Sequence, residues 1–231
     1  MTDKIKTYNE NVAAAPAIAA SGPNGIKRLI MNGVGLERYD TDGHDPSIVN
    51  YRNTPLTFGI FIWPNLKKYF LPKSKILDLG CGNGRFSLFF SEKVEAAKIY
   101  AIDGFRELEP SYKQDNIIFS KTIFQDFKEK NFDIIFMHGV FYVLENYGFE
   151  KSFKKIISDL KPGGFVIIID NKFNNHIYEP TDTLRKGHYN LTELCNIANT
   201  ELDNTEVEII EEYVEPTYKL KTVVIKKKEN K

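Results

Sequence analysis

Three glycines alternate with other residues at Gly80-Cys81-Gly82-Asn83-Gly84, directly after the apolar run Ile76-Leu77-Asp78-Leu79 and before a helix-like pattern opening at Arg85-Phe86. Glycines in such a turn let ligand atoms approach the main chain with no Cβ in the way. Amides at the start of the following helix favour polar or anionic ligand groups. Two carboxylates accompany the loop: Asp78 lies two positions before Gly80, and Asp103 ends the next apolar run, 19 residues beyond Gly84. The dinucleotide fingerprint GxGxxG needs a glycine where Arg85 stands, and the Walker pattern GxxxxGK[ST] is absent.

These residues need a sheet to hold them. From Lys75 onward strand and helix patterns alternate, with strand candidates at Ile76–Leu79, Lys98–Asp103, Asn116–Phe119, Phe132–Met137 and Phe165–Asp170. Their nearly continuous apolar character suits parallel strands covered on both faces. Between the last two, Phe149, Phe153, Ile156, Ile157 and Leu160 form one stripe of a helix, and Lys151, Lys154, Lys155 and Asp159 are assigned to its other face. A further helix is expected to begin near Asn190, with Glu193 placed as in a capping box. Glu206–Tyr213 and Tyr218–Ile225 follow; so short a link between strands requires them to be antiparallel. The reading is α/β, a doubly wound, mostly parallel sheet with helices on both faces and an antiparallel C-terminal hairpin.

The string ILDLGCGNGRF closely resembles the first motif of class I S-adenosylmethionine-dependent methyltransferases, Rossmann-like enzymes of the small-molecule type. Other segments in the right order are similar to that family's: Gln125-Asp126-Phe127, Phe132-Asp133-Ile134-Ile135-Phe136, Leu160-Lys161-Pro162-Gly163-Gly164 and the closing hairpin, which matches its sixth and seventh strands. The resemblance covers roughly residues 72–228 and implies a seven-stranded sheet. It implies that Asp103 holds the cofactor's ribose hydroxyls, that Gly80, Cys81 and Gly82 border the cofactor, and that Gln125, Asp126 and Phe127 meet its adenine. Asp126 would accept from the adenine amino group, and Phe127 would supply a main-chain donor or a ring contact. Asp78 either serves the methionyl ammonium or holds the glycine loop. Gly84 serves either cofactor approach or helix–sheet packing. S-adenosylmethionine is thus the expected cofactor and S-adenosylhomocysteine its product.

Ligands of open α/β sheets sit beyond the carboxyl ends of the strands, which puts Met137-His138-Gly139-Val140-Phe141-Tyr142 and Asp170-Asn171 toward the acceptor. His138 is the candidate general base and a cofactor-pocket residue, because an imidazole titrates near neutral pH; Tyr142 is the second catalytic candidate. His176, Tyr178, His188 and Tyr189 are weaker ones. Metal-dependent catechol-type enzymes resemble the Asp170-Asn171 ending, but His138 replaces their first acid, and a divalent metal is not expected.

The chain divides in this reading into an N-terminal arm and cap, residues 1–54, and a methyltransferase domain, residues 55–231. Tyr39, His44, Tyr51 and Arg52 of the cap are candidates to close over the cofactor. The aromatic run Pro55–Phe70 suggests an interrupted helix that Pro64 stops or kinks. Lys plus Arg equal Asp plus Glu at 31 each, so no global basic field gathers nucleic acid. Two cysteines make no disulfide framework, and no apolar run approaches the roughly 20 residues that cross a bilayer. A cytoplasmic enzyme methylating a small molecule is expected, at a hydroxyl of a sugar or secondary metabolite. An RNA or protein methyltransferase and a noncatalytic S-adenosylmethionine-binding protein are the alternatives. Membrane and nucleic-acid partners are not expected, and a homodimer is left open.

Overall fold

A computed structural model describes residues 58–140, 144, 147–170, 191–214 and 221–229. The chain divides into two compact units, Met1–Lys68 and Tyr69–Lys231. The expected boundary at residues 54/55 lies outside the described residues, as does the whole cap with Tyr39, His44, Tyr51 and Arg52. In the first unit, Phe58–Ile62 forms a π-helical turn and Trp63–Leu66 a short α-helical one. Pro64 does not end that helix. It sits in the first turn, where the missing N–H costs nothing.

In the second unit, seven strands form one sheet in the order β3-β2-β1-β4-β5-β7-β6. They are β1 (Lys75–Leu79), β2 (Lys98–Asp103), β3 (Ile117–Lys121), β4 (Phe132–His138), β5 (Leu160–Asp170), β6 (Val207–Val214) and β7 (Lys221–Lys227). The first five pair in parallel, and β7 runs antiparallel to both β5 and β6. β1 has buried residues on both faces, as its unbroken apolar run requires. The chain reverses direction across the sheet between β1 and β4, and this switch point is where an open α/β sheet leaves a crevice.

Helices α1 (Arg85–Lys93), α2 (Phe149–Asp159) and α3 (Leu191–Glu201) cover the sheet. α1 buries Phe86, Leu88, Phe89 and Phe90, and its rings join an aromatic cluster in which Phe90 meets Phe136 edge-on at 4.8 Å and stacks on Phe70 at 4.9 Å. Burying such rings contributes about 1.5–3 kcal/mol each. The β2–β3 crossover contains only a 3-10 turn, Pro110–Tyr112. The β3–β4 crossover has turns instead of a helix, closed by Asp126 N–H to Ile123 O (3.1 Å) and Phe127 N–H to Phe124 O (3.2 Å).

α2 departs from the expected division into apolar and solvated faces. Its side chain at Asp159 is wholly buried and pairs with Lys155 at 2.6 Å. A carboxylate so placed needs a cation in reach. Nearby, the buried Lys227 ammonium donates to the carbonyls of Ile157 (3.0 Å) and Leu160 (2.7 Å), closing the helix's C-terminal end. A cation is favoured there by the helix dipole. Asn190 lies outside the described residues, so the expected capping box is not described.

Candidate active site

The glycine loop leaves β1 and is stapled to the end of β2. The N–H groups of Gly80 and Cys81 both donate to Ile102 O, at 2.9 and 3.0 Å, and Gly84 N–H donates to Cys81 O at 3.0 Å. Gly82 N–H donates to Asp103 Oδ2 at 2.9 Å. These four amides therefore serve the loop itself; the amides expected to favour a polar ligand group are those at the start of the helix that opens at Arg85. The three glycines have different neighbours. A Cβ on Gly80 would stand 2.3 Å from Val140 Cγ2, and one on Gly84 2.1 Å from Leu108 Cδ1. One on Gly82 would meet only Arg106 Cδ, at 4.0 Å. Close approach by a ligand is thus open at Gly82. At Gly80 and Gly84 a positive φ, 72° and 95°, favours glycine together with the packing of Val140 and Leu108, which for Gly84 supports the packing alternative.

Asp103 faces this opening. Its Oδ1 accepts from the amides of Phe105 (2.8 Å) and Arg106 (2.9 Å), while Oδ2 accepts from Gly82. An ionised carboxylate offers about four acceptor sites, and three are filled. One remains for a ligand hydroxyl, so holding both hydroxyls of a diol requires one of the amide bonds to yield. With that adjustment, Asp103 beside the open Gly82 fits the ribose of S-adenosylmethionine.

Asp78 is buried at 2% exposure and accepts from Ser87 Oγ at 2.6 Å, tying β1 to the first turn of α1. Of the two roles open to it, this contact favours holding the loop. Burial pushes its pKa from 3.8 up to about 7; the Ser87 bonds oppose the shift and the Asp103 charge adds to it. Cys81 lies buried under the loop, with a thiol pushed far up by burial, so it fills space and does not react as a thiolate. Cys195 is likewise free and buried on α3.

His138 ends β4, half-buried. Its ring stacks on Phe86 at 4.8 Å and lies 6.4 Å from Phe136. Burial pushes the imidazole down from 6.5 to about 4. It is therefore neutral throughout the physiological range, which corrects the expectation that it titrates near pH 7. Tyr142 lies outside the described residues, as do Asn171, His176, Tyr178, His188 and Tyr189. Asp170 ends β5, buried. Among the described residues, no three His, Cys, Asp or Glu side chains gather as a metal centre would need.

The segment expected at adenine is only partly turned to a ligand. Gln125 donates its amide to Ser152 Oγ on α2 at 3.0 Å, and Phe127 packs in the core against Tyr100 and Phe132. With the Phe127 N–H already given to Phe124 O, neither of its expected contacts faces outward. Asp126 between them is exposed.

Asp78 and His138 give the site opposite pH signatures. Native Asp78 keeps a proton that the unfolded chain releases between pH 3.8 and about 7, so its contribution to stability falls as pH rises through that window. The unfolded chain binds a proton at His138 that the native state refuses between about pH 4 and 6.5, so this contribution rises with pH. The two oppose each other where the windows overlap. Relative to wild type, Asp78→Asn should make stability climb with pH by an extra ~1.4 kcal/mol per unit, and His138→Gln should make it fall by a similar amount. Urea midpoints measured from about pH 4.5 to about pH 6 test this, and three parallel curves would refute the shifted titration of both groups.

A glycine loop at the β1 end, a carboxylate at the β2 end and this strand order together define a class I S-adenosylmethionine-dependent methyltransferase. The profile of the family described as "Methyltransferase domain" matches residues 61–201, more than half of the chain, and the chain belongs to that family. Its fold is similar to that of 1,6-didemethyltoxoflavin-N1-methyltransferase from Burkholderia thailandensis, solved with 1,6-didemethyltoxoflavin and S-adenosylhomocysteine bound: TM-score 0.52 and 16% identity, covering 73% of this chain and 75% of that one. It is also similar to a SAM-dependent methyltransferase from Aquifex aeolicus, with TM-score 0.50 and 21% identity over 71% and 87% of the respective chains. A third likeness is to an S-adenosylmethionine-dependent methyltransferase from Mesorhizobium loti, with TM-score 0.50 and 17% identity over 71% and 96%. At these identities the likeness is one of fold. No curated protein matches the sequence.

Proposed function

We propose that this methyltransferase acts on a small molecule and methylates a hydroxyl group, as on a sugar or secondary metabolite. The observation that carries the reading is His138, a neutral imidazole at the β4 end of the crevice whose β1 and β2 ends bear Gly82 and Asp103. When bound, S-adenosylmethionine supplies an electrophilic methyl group on a sulfonium. Gly82 lets the cofactor approach the main chain, and Asp103 accepts a ribose hydroxyl. His138 accepts the acceptor's hydroxyl proton as the new bond forms; its low basicity makes it a hydrogen-bond acceptor first and a proton carrier late in the step. Alignment of the two reactants supplies the larger share, for which effective molarities imply up to roughly 7–11 kcal/mol.

A formally neutral chain supports a small acceptor over RNA, and the Burkholderia enzyme of similar fold was solved with 1,6-didemethyltoxoflavin bound. The two buried free cysteines fit a reducing, cytoplasmic setting. Among the described residues no helix is long and apolar enough to cross a membrane. Thermal unfolding with S-adenosylhomocysteine or NAD, followed by methyl transfer to pools of hydroxylated small molecules, tests the reading. S-adenosylhomocysteine should raise the midpoint and NAD should not. Turnover confined to RNA and lost steeply with salt would overturn the small-molecule acceptor.

A further inference from the structure

Resting on the cofactor reading above, we infer that helix α2 positions the nucleobase end of the cofactor site, with Ser152 and Lys155 pinning the β3–β4 turn on either side of Asp126. The buried rings of Phe124 and Phe127 anchor that turn, two main-chain bonds of 3.1 and 3.2 Å close it, and the exposed Asp126 lies between the rings. A segment of this kind, left alone, loses conformational freedom when it binds a ligand.

α2 adds two restraints to that anchoring beforehand. The residue before Asp126 is held by Gln125 Nε2 donating to Ser152 Oγ (3.0 Å), and Ser152 is 1% exposed. The residue after it is held by Lys155 Nζ donating to Phe127 O (3.1 Å). The same ammonium lies 4.6 Å above the Phe124 ring and is bonded to the buried Asp159 at 2.6 Å. A lysine engaged by a carboxylate, a carbonyl and a ring is fixed in place and is no solvated surface charge. Asp126 alone, between its two pinned neighbours, presents an exposed side chain. Ser152, Lys155 and Asp159 are thus positioning residues for the Asp126 carboxylate, which is the group that tells an exocyclic amine from a carbonyl oxygen.

Calorimetry with S-adenosylhomocysteine and S-inosylhomocysteine, in which a carbonyl replaces the adenine amine, tests this. Wild type should prefer the adenine compound, and Asp126→Asn should abolish most of the preference. Lys155→Met keeps the stem and should reduce the preference by about tenfold, with Ser152→Ala acting in the same direction and Lys155→Arg restoring it. A lower melting temperature in Lys155→Met and Ser152→Ala with an unchanged preference would overturn the inference and leave the pins merely structural. Asp126→Asn identifies which step failed. If it leaves the preference intact, the nucleobase is not at Asp126 and the inference falls while the methyltransferase reading, which rests on Gly82, Asp103 and His138, stands; if it removes the preference while both pin variants keep it, only the role of α2 falls.

Discussion

Asp103→Ala should weaken S-adenosylhomocysteine binding by roughly hundredfold, because a hydrogen bond to a charged acceptor contributes about 1.5–3 kcal/mol. More than a ribose contact is removed. The same carboxylate accepts the amide of Gly82, the loop glycine whose approach is open, and those of Phe105 and Arg106. Without it the loop loses its staple to β2, so the surface offered to the cofactor loosens along with the ribose acceptor. The fold should survive, since Gly80 and Cys81 keep their bonds to Ile102 O and β1 keeps its register with β2 and β4. Isothermal calorimetry beside a melting curve separates the two effects. Affinity within threefold of wild type in a folded variant would remove the ribose from Asp103.

His138→Ala is expected to lower turnover by about a hundredfold, the usual scale of general-base assistance, while leaving cofactor affinity nearly unchanged. The imidazole is neutral at working pH, so its contribution should be flat across the physiological range and fail only toward its pKa of about 4. His138→Gln keeps a polar side chain on the Phe86 ring without the basic nitrogen and should be almost as slow as alanine. The measurement is S-adenosylhomocysteine release with the best acceptor from the screen, resolved into kcat and KM. A change in KM alone would make His138 a wall of the pocket.

The outline of the fold was legible in the residues because its signals are local. A continuous apolar run such as Ile134–Met137 can be buried on both faces only in a covered parallel strand. The link between β6 and β7 is too short for anything but an antiparallel pair. The glycine loop and Asp103 were legible for the same reason, since strand, turn and strand-end acid follow one another closely in the chain. Asp126, by contrast, could be placed only by family resemblance.

Tertiary structure decided what pairs of distant residues do. Lys155 and Asp159 read as the solvated side of a helix, yet Asp159 is buried and Lys155 reaches the carbonyl of Phe127, 28 positions away. Gln125 turned inward to Ser152, and Phe127 sank into the core. Gly80 is needed because Val140, from another strand's end, rests against it. His138 carried its chemical type in the sequence but not its pKa, which follows from the desolvation that packing imposes. Patterns of hydrophobicity act over a few neighbouring residues and so dictate elements. Exposure, partner and charge state come from contacts across the fold, which no short stretch of chain contains.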